Sequence, residues 1–134
     1  MKKVMAFGSF DILHEGHIHY LKEAKDYGHL IVIVARDENI LRFKGQKPKH
    51  DENYRLEQIK KLDFVDEAVI GHKDDILKVL EEFKPDVICL GYDQSTIQEE
   101  KLKQELEKRN LKAEIVRCKP FKPEIFKSSK LKED

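Results

Sequence analysis

The stretch Gly8–His17 has the sequence Gly-Ser-Phe-Asp-Ile-Leu-His-Glu-Gly-His and directly follows the apolar run Val4–Phe7. Helical spacing of apolar residues begins just after it, at about Ile18. An apolar run, a glycine turn and a helix start, in this order, predict a strand–turn–helix junction of an α/β fold. The first free N–H groups of the helix and the positive end of its dipole converge at such a junction. The stretch is therefore a predicted phosphate-binding site.

Two histidines in this stretch indicate chemistry as well as binding. His14 and His17 lie three positions apart, so both imidazoles can face one bound group if the second histidine opens the helix. Two donors above an anion-binding turn suit a reaction at a phosphoryl centre. The alternative is that both are polar surface residues at a helix end. Zinc is not predicted, because His17 and His19 would point about 200° apart on a helix that begins near His17.

Apolar runs and helical segments alternate along the rest of the chain. The run 29–35 is continuously apolar, which is typical of a strand buried on both faces of a parallel sheet. The later predicted strands are 29–35, 67–70, 87–90 and 113–117, and the predicted helices are 18–27, 51–62, 74–83 and 97–109. This alternation predicts an α/β fold with a doubly wound five-stranded parallel sheet, in a single domain spanning 1–134.

Two connections are predicted to be loops at the carboxyl edge of this sheet. The segment 36–39 follows the second strand, and the basic stretch 43–50 contains glycine and proline without helical periodicity. Ligands of doubly wound sheets bind beyond the carboxyl ends of the strands, where the strand order reverses. The turns at Gly8 and Gly91 both fall there if the strand order is 3-2-1-4-5.

The composition limits the classes of partner. Lys+Arg and Asp+Glu number 26 each, so no net charge favours binding to nucleic acid or to a membrane surface. No run approaches the roughly 18 apolar residues of a transmembrane helix, and the first apolar run is too short for a signal peptide. The two cysteines, Cys89 and Cys118, do not make a disulfide framework. We therefore expect a soluble cytoplasmic protein, with Cys89 buried in a strand and Cys118 exposed in a loop.

The stretch Gly8–His17 closely resembles the motif G-[ST]-F-D-x-x-H-x-G-H of the HxGH nucleotidylyltransferases and matches each of its fixed positions. Within that superfamily the chain is similar to the cytidylyltransferase-like branch, and most closely to the archaeal FAD synthases. The segments Ala-Arg-Asp-Glu at 35–38 and Gly-Tyr-Asp-Gln at 91–94 favour the FAD synthases over the glycerol-3-phosphate enzymes. The resemblance implies the strand order 3-2-1-4-5.

The resemblance also implies the roles of the motif residues. His14 and His17 would contact the triphosphate and stabilise charge as pyrophosphate leaves, while an acceptor phosphate attacks the α-phosphorus directly. The turn at Ser9 and Phe10 would bind phosphate through its backbone N–H groups. The nucleotide-binding residues implied within the motif are Ser9, Phe10, His14, Glu15, Gly16 and His17.

Further nucleotide contacts are implied beyond the motif. Asp93, in the Gly-Tyr-Asp-Gln turn, would accept a hydrogen bond from the ribose or the base. Relatives carry R-x-x-x-I-S-[ST]-[ST] near the end of the chain, where Ser128 and Ser129 match and Lys122 stands in place of the usual arginine. Lysine keeps the charge but loses the bidentate fork of arginine.

Asp11, Lys44 and Arg55 are predicted to lie near the acceptor or its phosphate. A carboxylate such as Asp11, beside a triphosphate, must meet a metal, a base or a backbone donor. Relatives place a lysine that reaches phosphate or the second substrate in the basic loop, which favours Lys44; the alternative is a solvated lysine. Arg55 matches a position where relatives often carry arginine, and the alternative is a surface ion pair.

The reaction that the resemblance implies is the transfer of AMP from ATP to FMN, which gives FAD and pyrophosphate. It also implies a divalent cation, Mg²⁺, held mainly by the nucleotide phosphates, and a homodimeric assembly. One alternative is a cytidylyltransferase that acts on glycerol 3-phosphate or on a sugar phosphate. The other is a nucleotide-binding sensor on the same scaffold that has lost its chemistry.

Overall fold

The computed structural model describes residues 2–73, 75, 77–90 and 99–118, with Phe43 and Lys44 described by their backbone alone. The strands are β1 (Lys3–Gly8), β2 (His29–Val34), β3 (Glu67–Ile70), β4 (Val87–Leu90) and β5 (Glu114–Arg117). The helices are α1 (Glu15–Lys25), α2 (Asp37–Lys44), α3 (Glu52–Lys60), α4 (Lys78–Phe83) and α5 (Glu99–Lys108). All strand pairs are parallel, in the order β3-β2-β1-β4-β5. The predicted doubly wound sheet and its strand order are confirmed.

Apolar side chains cover both faces of the sheet, which explains the continuous apolar runs of the central strands. The segment Val4–Phe7 of β1 is buried throughout. On one face, Leu21 of α1 and Ile59 of α3 pack against the strands. On the other face, Leu80 of α4 and Leu102 of α5 do the same. Because α1 and α3 are crossover helices on the same face, their N-termini lie side by side at the carboxyl edge of the sheet.

The connection after β2 differs from the prediction. The segment 36–39 was predicted to be a loop, but most of it belongs to α2. Asp37 and Glu38 lie in the first turn of this helix, where negative charge complements the dipole. Gly45 ends the helix in the left-handed conformation, with φ 77°. The prediction is wrong because an eight-residue helix gives too short a periodic pattern to distinguish it from a loop.

Other boundaries shift by a few residues. The helix α1 begins at Glu15 rather than near Ile18. The predicted strands 67–70 and 87–90 are confirmed with the same bounds. The helix predicted from Asp74 begins at Lys78, and the predicted start of the last helix, at Ile97, lies outside the described residues.

Asp51 caps α3, because its side chain accepts a hydrogen bond from the N–H of Tyr54 at 2.8 Å. No helix in the described part of the chain has the length and apolar character that a membrane span requires.

Tyr20 of α1 joins the two central strands through its buried hydroxyl. The hydroxyl donates to the carbonyl of Cys89 in β4 at 2.8 Å and accepts from the N–H of Phe7 in β1 at 3.2 Å. Burial raises the pKa of Tyr20 well above its ordinary value, so the hydroxyl stays protonated and keeps both bonds. This link holds α1 over the place where the strand order reverses.

Both cysteines are buried. Cys89 lies within β4, as predicted. The prediction that Cys118 is exposed is wrong: its side chain is 2% exposed, and its N–H donates to the carbonyl of Leu90 at 2.8 Å. A hydrogen bond with Cys89, together with burial, raises the pKa of Cys118 far above the usual range for a thiol. The neutral thiol is therefore a packing residue of the core.

Candidate active site

The N-terminus of α1 is built around His14, which caps the helix. His14 has an extended backbone, and its Nδ1 accepts a hydrogen bond from the N–H of Gly16 at 3.0 Å. In return, the N–H of His14 donates to Nδ1 of His17 at 3.4 Å. This reciprocal pair is a capping box made of two imidazoles. It explains why the helix starts earlier than the apolar periodicity predicts.

The two imidazoles lie against each other. Their ring centroids are 3.9 Å apart and the ring planes differ by 24°. The structure therefore brings together the two histidines that the sequence singled out. Because each Nδ1 accepts a backbone N–H, the proton of each neutral ring is on Nε2.

Phe10 packs against the side of His17, and its own backbone adopts a left-handed conformation in the turn. Its ring meets that of His17 edge to face, with centroids 5.3 Å apart, and is 2% exposed. Its φ is 53°, a left-handed conformation that costs a non-glycine residue free energy. A Cβ on Gly8 would lie within 3 Å of the Phe10 ring. Glycine at position 8 therefore makes room for the buried ring that supports His17.

Asp11 fastens the motif turn to the segment before α3. Its two carboxylate oxygens accept the N–H groups of Lys49 at 2.7 Å and of His50 at 2.9 Å. Of the partners that the sequence left open for this carboxylate, the structure therefore shows backbone donors.

Arg55 is a buried connector rather than a surface residue. Its side chain is 0% exposed, which overturns the alternative of a surface ion pair. The guanidinium donates to the carbonyls of Ser9 at 2.8 Å and Ala35 at 2.8 Å. It also donates to the carbonyl of His50 at 2.9 Å and to the carboxylate of Asp37 at 2.6 Å. Arg55 thus joins the ends of β1 and β2 to the start of α3.

The structure describes only some of the remaining predicted site residues. Glu15 is exposed in the first turn of α1, beside Gly16. Lys44 is the last residue of α2, and its side chain is not described. The predicted residues that lie outside the described part of the chain are Asp93, Lys122, Ser128 and Ser129.

Sequence reasoning missed three residues at this edge of the sheet. Asp37 is the ionic partner of Arg55. The rings of His50 and Tyr54 stack with centroids 4.4 Å apart. The spacing of four residues, from just before the Asp51 cap into the first turn of α3, was the signal available in the sequence.

The family of this chain follows from a match over almost its whole length. Residues 5–133 match the model of the family described as cytidylyltransferase-like. The chain belongs to the cytidylyltransferase-like family. The resemblance carried by the motif Gly8–His17 is thereby confirmed.

Curated relatives of this cytidylyltransferase-like chain are similar over nearly its full length. The FAD synthase of Ferroglobus placidus is 50% identical over 120 residues, which cover 89% of this chain and 77% of the relative. The FAD synthase of Thermoplasma volcanium is 46% identical over 133 residues, which cover 98% and 92%. The FAD synthase of Methanothermus fervidus is 48% identical over 122 residues, which cover 88% and 83%.

Solved structures share the fold. A crystal structure from Thermoplasma volcanium GSS1, described as a lipopolysaccharide core biosynthesis protein, is 48% identical with a TM-score of 0.84. The match covers 90% of this chain and 98% of that one. The pantoate-beta-alanine ligase of Francisella tularensis has a TM-score of 0.62 at 17% identity, over 87% of this chain and 58% of the ligase, and is similar in fold alone.

Proposed function

We propose that this protein transfers AMP from ATP to FMN and releases FAD and pyrophosphate. The observation that carries the proposal is the stacked, capping pair His14 and His17 at the N-terminus of α1. It occurs in a chain that is similar, over 88% to 98% of its length, to relatives named FAD synthase. A helix N-terminus with two further donors suits a triphosphate.

The reaction needs positioning and charge stabilisation rather than a protein nucleophile. An oxygen of the FMN phosphate attacks the α-phosphorus of ATP and forms a new P–O bond. The bond from the α-phosphorus to the bridging oxygen breaks, and pyrophosphate leaves with that electron pair. The net change is one P–O bond made and one broken, so the enzyme acts by aligning the two phosphates and by binding the developing charge.

His14 and His17 supply part of that stabilisation in our proposal. Their Nδ1 atoms are committed to backbone N–H groups, so each ring offers phosphate the N–H at Nε2. Donors fixed by a capping box need little reorganisation as charge develops on the departing pyrophosphate. The N–H groups of Ser9 and Phe10, with Glu15 and Gly16, would complete the binding turn.

The other predicted site residues remain part of this proposal. Lys44 would reach a phosphate at the carboxyl edge, and Asp93 would hold the ribose or base. Lys122, Ser128 and Ser129 would contact the triphosphate. Asp11 and Arg55 act indirectly, because their polar atoms hold the turn and the segment before α3 together.

A divalent cation, a homodimer and a cytoplasmic location also belong to the proposal. Among the described residues, no group of three or more His, Cys, Asp or Glu side chains is arranged to hold a metal. The carboxylate of Asp11 is bonded to two backbone N–H groups. A Mg²⁺ ion held mainly by phosphate oxygens and water fits this donor set, and it would reduce the negative charge that the acceptor phosphate meets.

A second candidate function is cytidylyl transfer to glycerol 3-phosphate or to a sugar phosphate. It is favoured by the similar structure that is described as a lipopolysaccharide core biosynthesis protein. The described motif residues would perform the same displacement on either acceptor. The two functions therefore differ in the acceptor and the base, not in the role of His14 and His17.

Pyrophosphate release tests the proposal. ATP and CTP are each offered with FMN or with glycerol 3-phosphate, to the wild-type protein and to His17→Ala. We expect release with ATP and FMN, and its loss in His17→Ala. Release only with the pair CTP and glycerol 3-phosphate would contradict this proposal and favour the second candidate function. ATP binding without turnover of any pair would favour a nucleotide-binding sensor.

A further inference from the structure

An aromatic pair stands at the start of α3, on the carboxyl edge of the sheet. The rings of His50 and Tyr54 stack with centroids 4.4 Å apart and planes 30° apart. Tyr54 is 48% exposed, so much of its ring surface is open to solvent although His50 lies against it. An exposed aromatic ring that is already stacked on one side is suited to receive a second flat ring.

The backbone under this pair is held from both sides. The N–H of His50 donates to Asp11 of the phosphate-binding turn at 2.9 Å. The carbonyl of His50 accepts from the buried Arg55 at 2.9 Å. The N–H of Tyr54 is bonded to the Asp51 cap at 2.8 Å. The pair is thus preorganised, which lowers the entropy cost of binding a ligand.

The position of the pair relative to the motif favours the acceptor over the nucleotide. The helix α3 packs against β2 and β3, whereas the strand order reverses between β1 and β4. Doubly wound sheets bind their nucleotide at the reversal point. The pair therefore lies on the other side of the phosphate-binding turn, away from the nucleotide. Lys47 and Lys49 are exposed on the segment that leads to the pair, and their charges suit a phosphorylated ligand.

We propose that His50 and Tyr54 form a stacking platform for the isoalloxazine ring of FMN. This inference rests on the proposed function and adds a specificity-determining site to it. The platform holds the flat ring beyond β2, while the phosphate of the same molecule extends to the turn that Asp11 ties to His50. Glycerol 3-phosphate has no ring to stack, so the platform selects a flavin acceptor.

The test compares three variants by FMN binding, followed through the quenching of flavin fluorescence, and by steady-state kinetics. Tyr54→Ala removes the platform ring, and Tyr54→Phe keeps a ring of the same shape. Tyr27→Ala is the matched control, because Tyr27 is a second exposed tyrosine, 38% exposed, which follows α1 at the opposite edge of the sheet.

Tyr54→Ala should raise the Kd and the KM for FMN about tenfold, within the range that loss of one base–aromatic stack produces. The KM for ATP should stay within about twofold, and Tyr54→Phe should restore most of the affinity for FMN. Tyr27→Ala should bind FMN like the wild type. An unchanged Kd for FMN in Tyr54→Ala, or equal losses for ATP and FMN, would overturn the platform.

The same experiment separates this inference from the proposed function. If the wild type forms FAD and Tyr54→Ala binds FMN normally, the platform alone is refuted. If the wild type neither binds FMN nor forms FAD, both proposals are refuted together.

Discussion

His14 has two roles that a substitution can separate, because its Nδ1 caps α1 while Nε2 is the proposed phosphate donor. Asparagine is among the best N-cap residues and has no atom at the position of Nε2. His14→Asn should therefore keep the free energy of unfolding within about 0.5 kcal/mol of the wild type. It should lower kcat about 100-fold, the usual effect of losing one charge-stabilising donor.

His14→Ala is the companion variant, in which cap and donor are both lost. It should lose kcat to the same extent and also about 1 kcal/mol of the free energy of unfolding. Urea unfolding and steady-state kinetics on both variants measure the two effects. Wild-type turnover in His14→Asn would show that His14 is only a cap.

The turn in front of these histidines depends on Gly8. A Cβ at this position would lie 2.5 Å from the tip of the buried Phe10 ring. Gly8→Ala should therefore displace the ring, lower the free energy of unfolding by about 1–3 kcal/mol and reduce turnover through His17. Adding Phe10→Leu should restore part of that stability, because the smaller side chain makes room for the methyl group.

Thermal unfolding of the two single variants and the double variant measures this coupling. Strictly additive losses would contradict the steric explanation.

Sequence reasoning at the residue scale succeeded where the signal was local. The motif predicted that His14 and His17 would lie together, and the structure places their rings in contact. The sequence could not reveal that Asp11 meets Lys49 and His50, because these residues are 38 and 39 positions away. The partners of Asp11 depend on which helices lie side by side, which spacing along the chain does not encode.

The connections between elements converge on Arg55. This guanidinium is bonded to the end of β1, to the end of β2 and to the segment before α3. Arg55→Met should lower the free energy of unfolding by about 3 kcal/mol, because it leaves buried carbonyls and the carboxylate of Asp37 without their donor. Urea unfolding measures the loss.

Asp37→Asn is the milder control for the same connection. The side chain of Asp37 is 38% exposed, so its amide variant should lose about 1 kcal/mol or less. Equal losses in Arg55→Met and Asp37→Asn would show that the ion pair, and not the bonds to the backbone, stabilises the junction.

The elements themselves were predictable to different degrees. Strands such as Glu67–Ile70 and Val87–Leu90 are short apolar runs between turns, and their bounds were predicted correctly. The helix Asp37–Lys44 was missed, because its eight residues make only about two turns, too short a pattern to distinguish it from a loop.

At the scale of the whole molecule, Asp66 links α1, β2 and the start of β3, and it makes stability depend on pH. Its carboxylate accepts from Lys25 at 2.5 Å and from the N–H of Leu30 at 2.8 Å. Both bonds lower the pKa of Asp66, and the bond from Lys25 has the larger effect. The free energy that these bonds contribute to folding is therefore fully present above the ordinary pKa of a carboxyl group. It is lost as the pH falls through the lowered pKa of Asp66.

Asp66→Asn should therefore be less stable than the wild type at pH 7 by less than about 1 kcal/mol, since the pair is partly exposed. The difference should shrink as the pH falls below about 4. Thermal unfolding across pH, with the exposed Asp63→Asn as control, measures it. A difference that stays constant down to the lowest pH would contradict this assignment.

The strand order was predictable only with the family resemblance, since alternation of strands and helices is compatible with more than one doubly wound order. The order places the ends of β1 and β2 together at the edge that bears the histidine pair. The stacked pair His50 and Tyr54 is a local contact between residues four apart. Its position near the motif was not predictable, because that depends on α3 lying beside α1.

The most direct test of the central proposal follows the transferred group itself. ATP labelled at the α-phosphorus is incubated with FMN, Mg²⁺ and the wild-type protein, and the flavins are separated afterwards. We expect the label in FAD, with one pyrophosphate released for each FAD formed, and its loss in His17→Ala. Flavin without label would contradict the account.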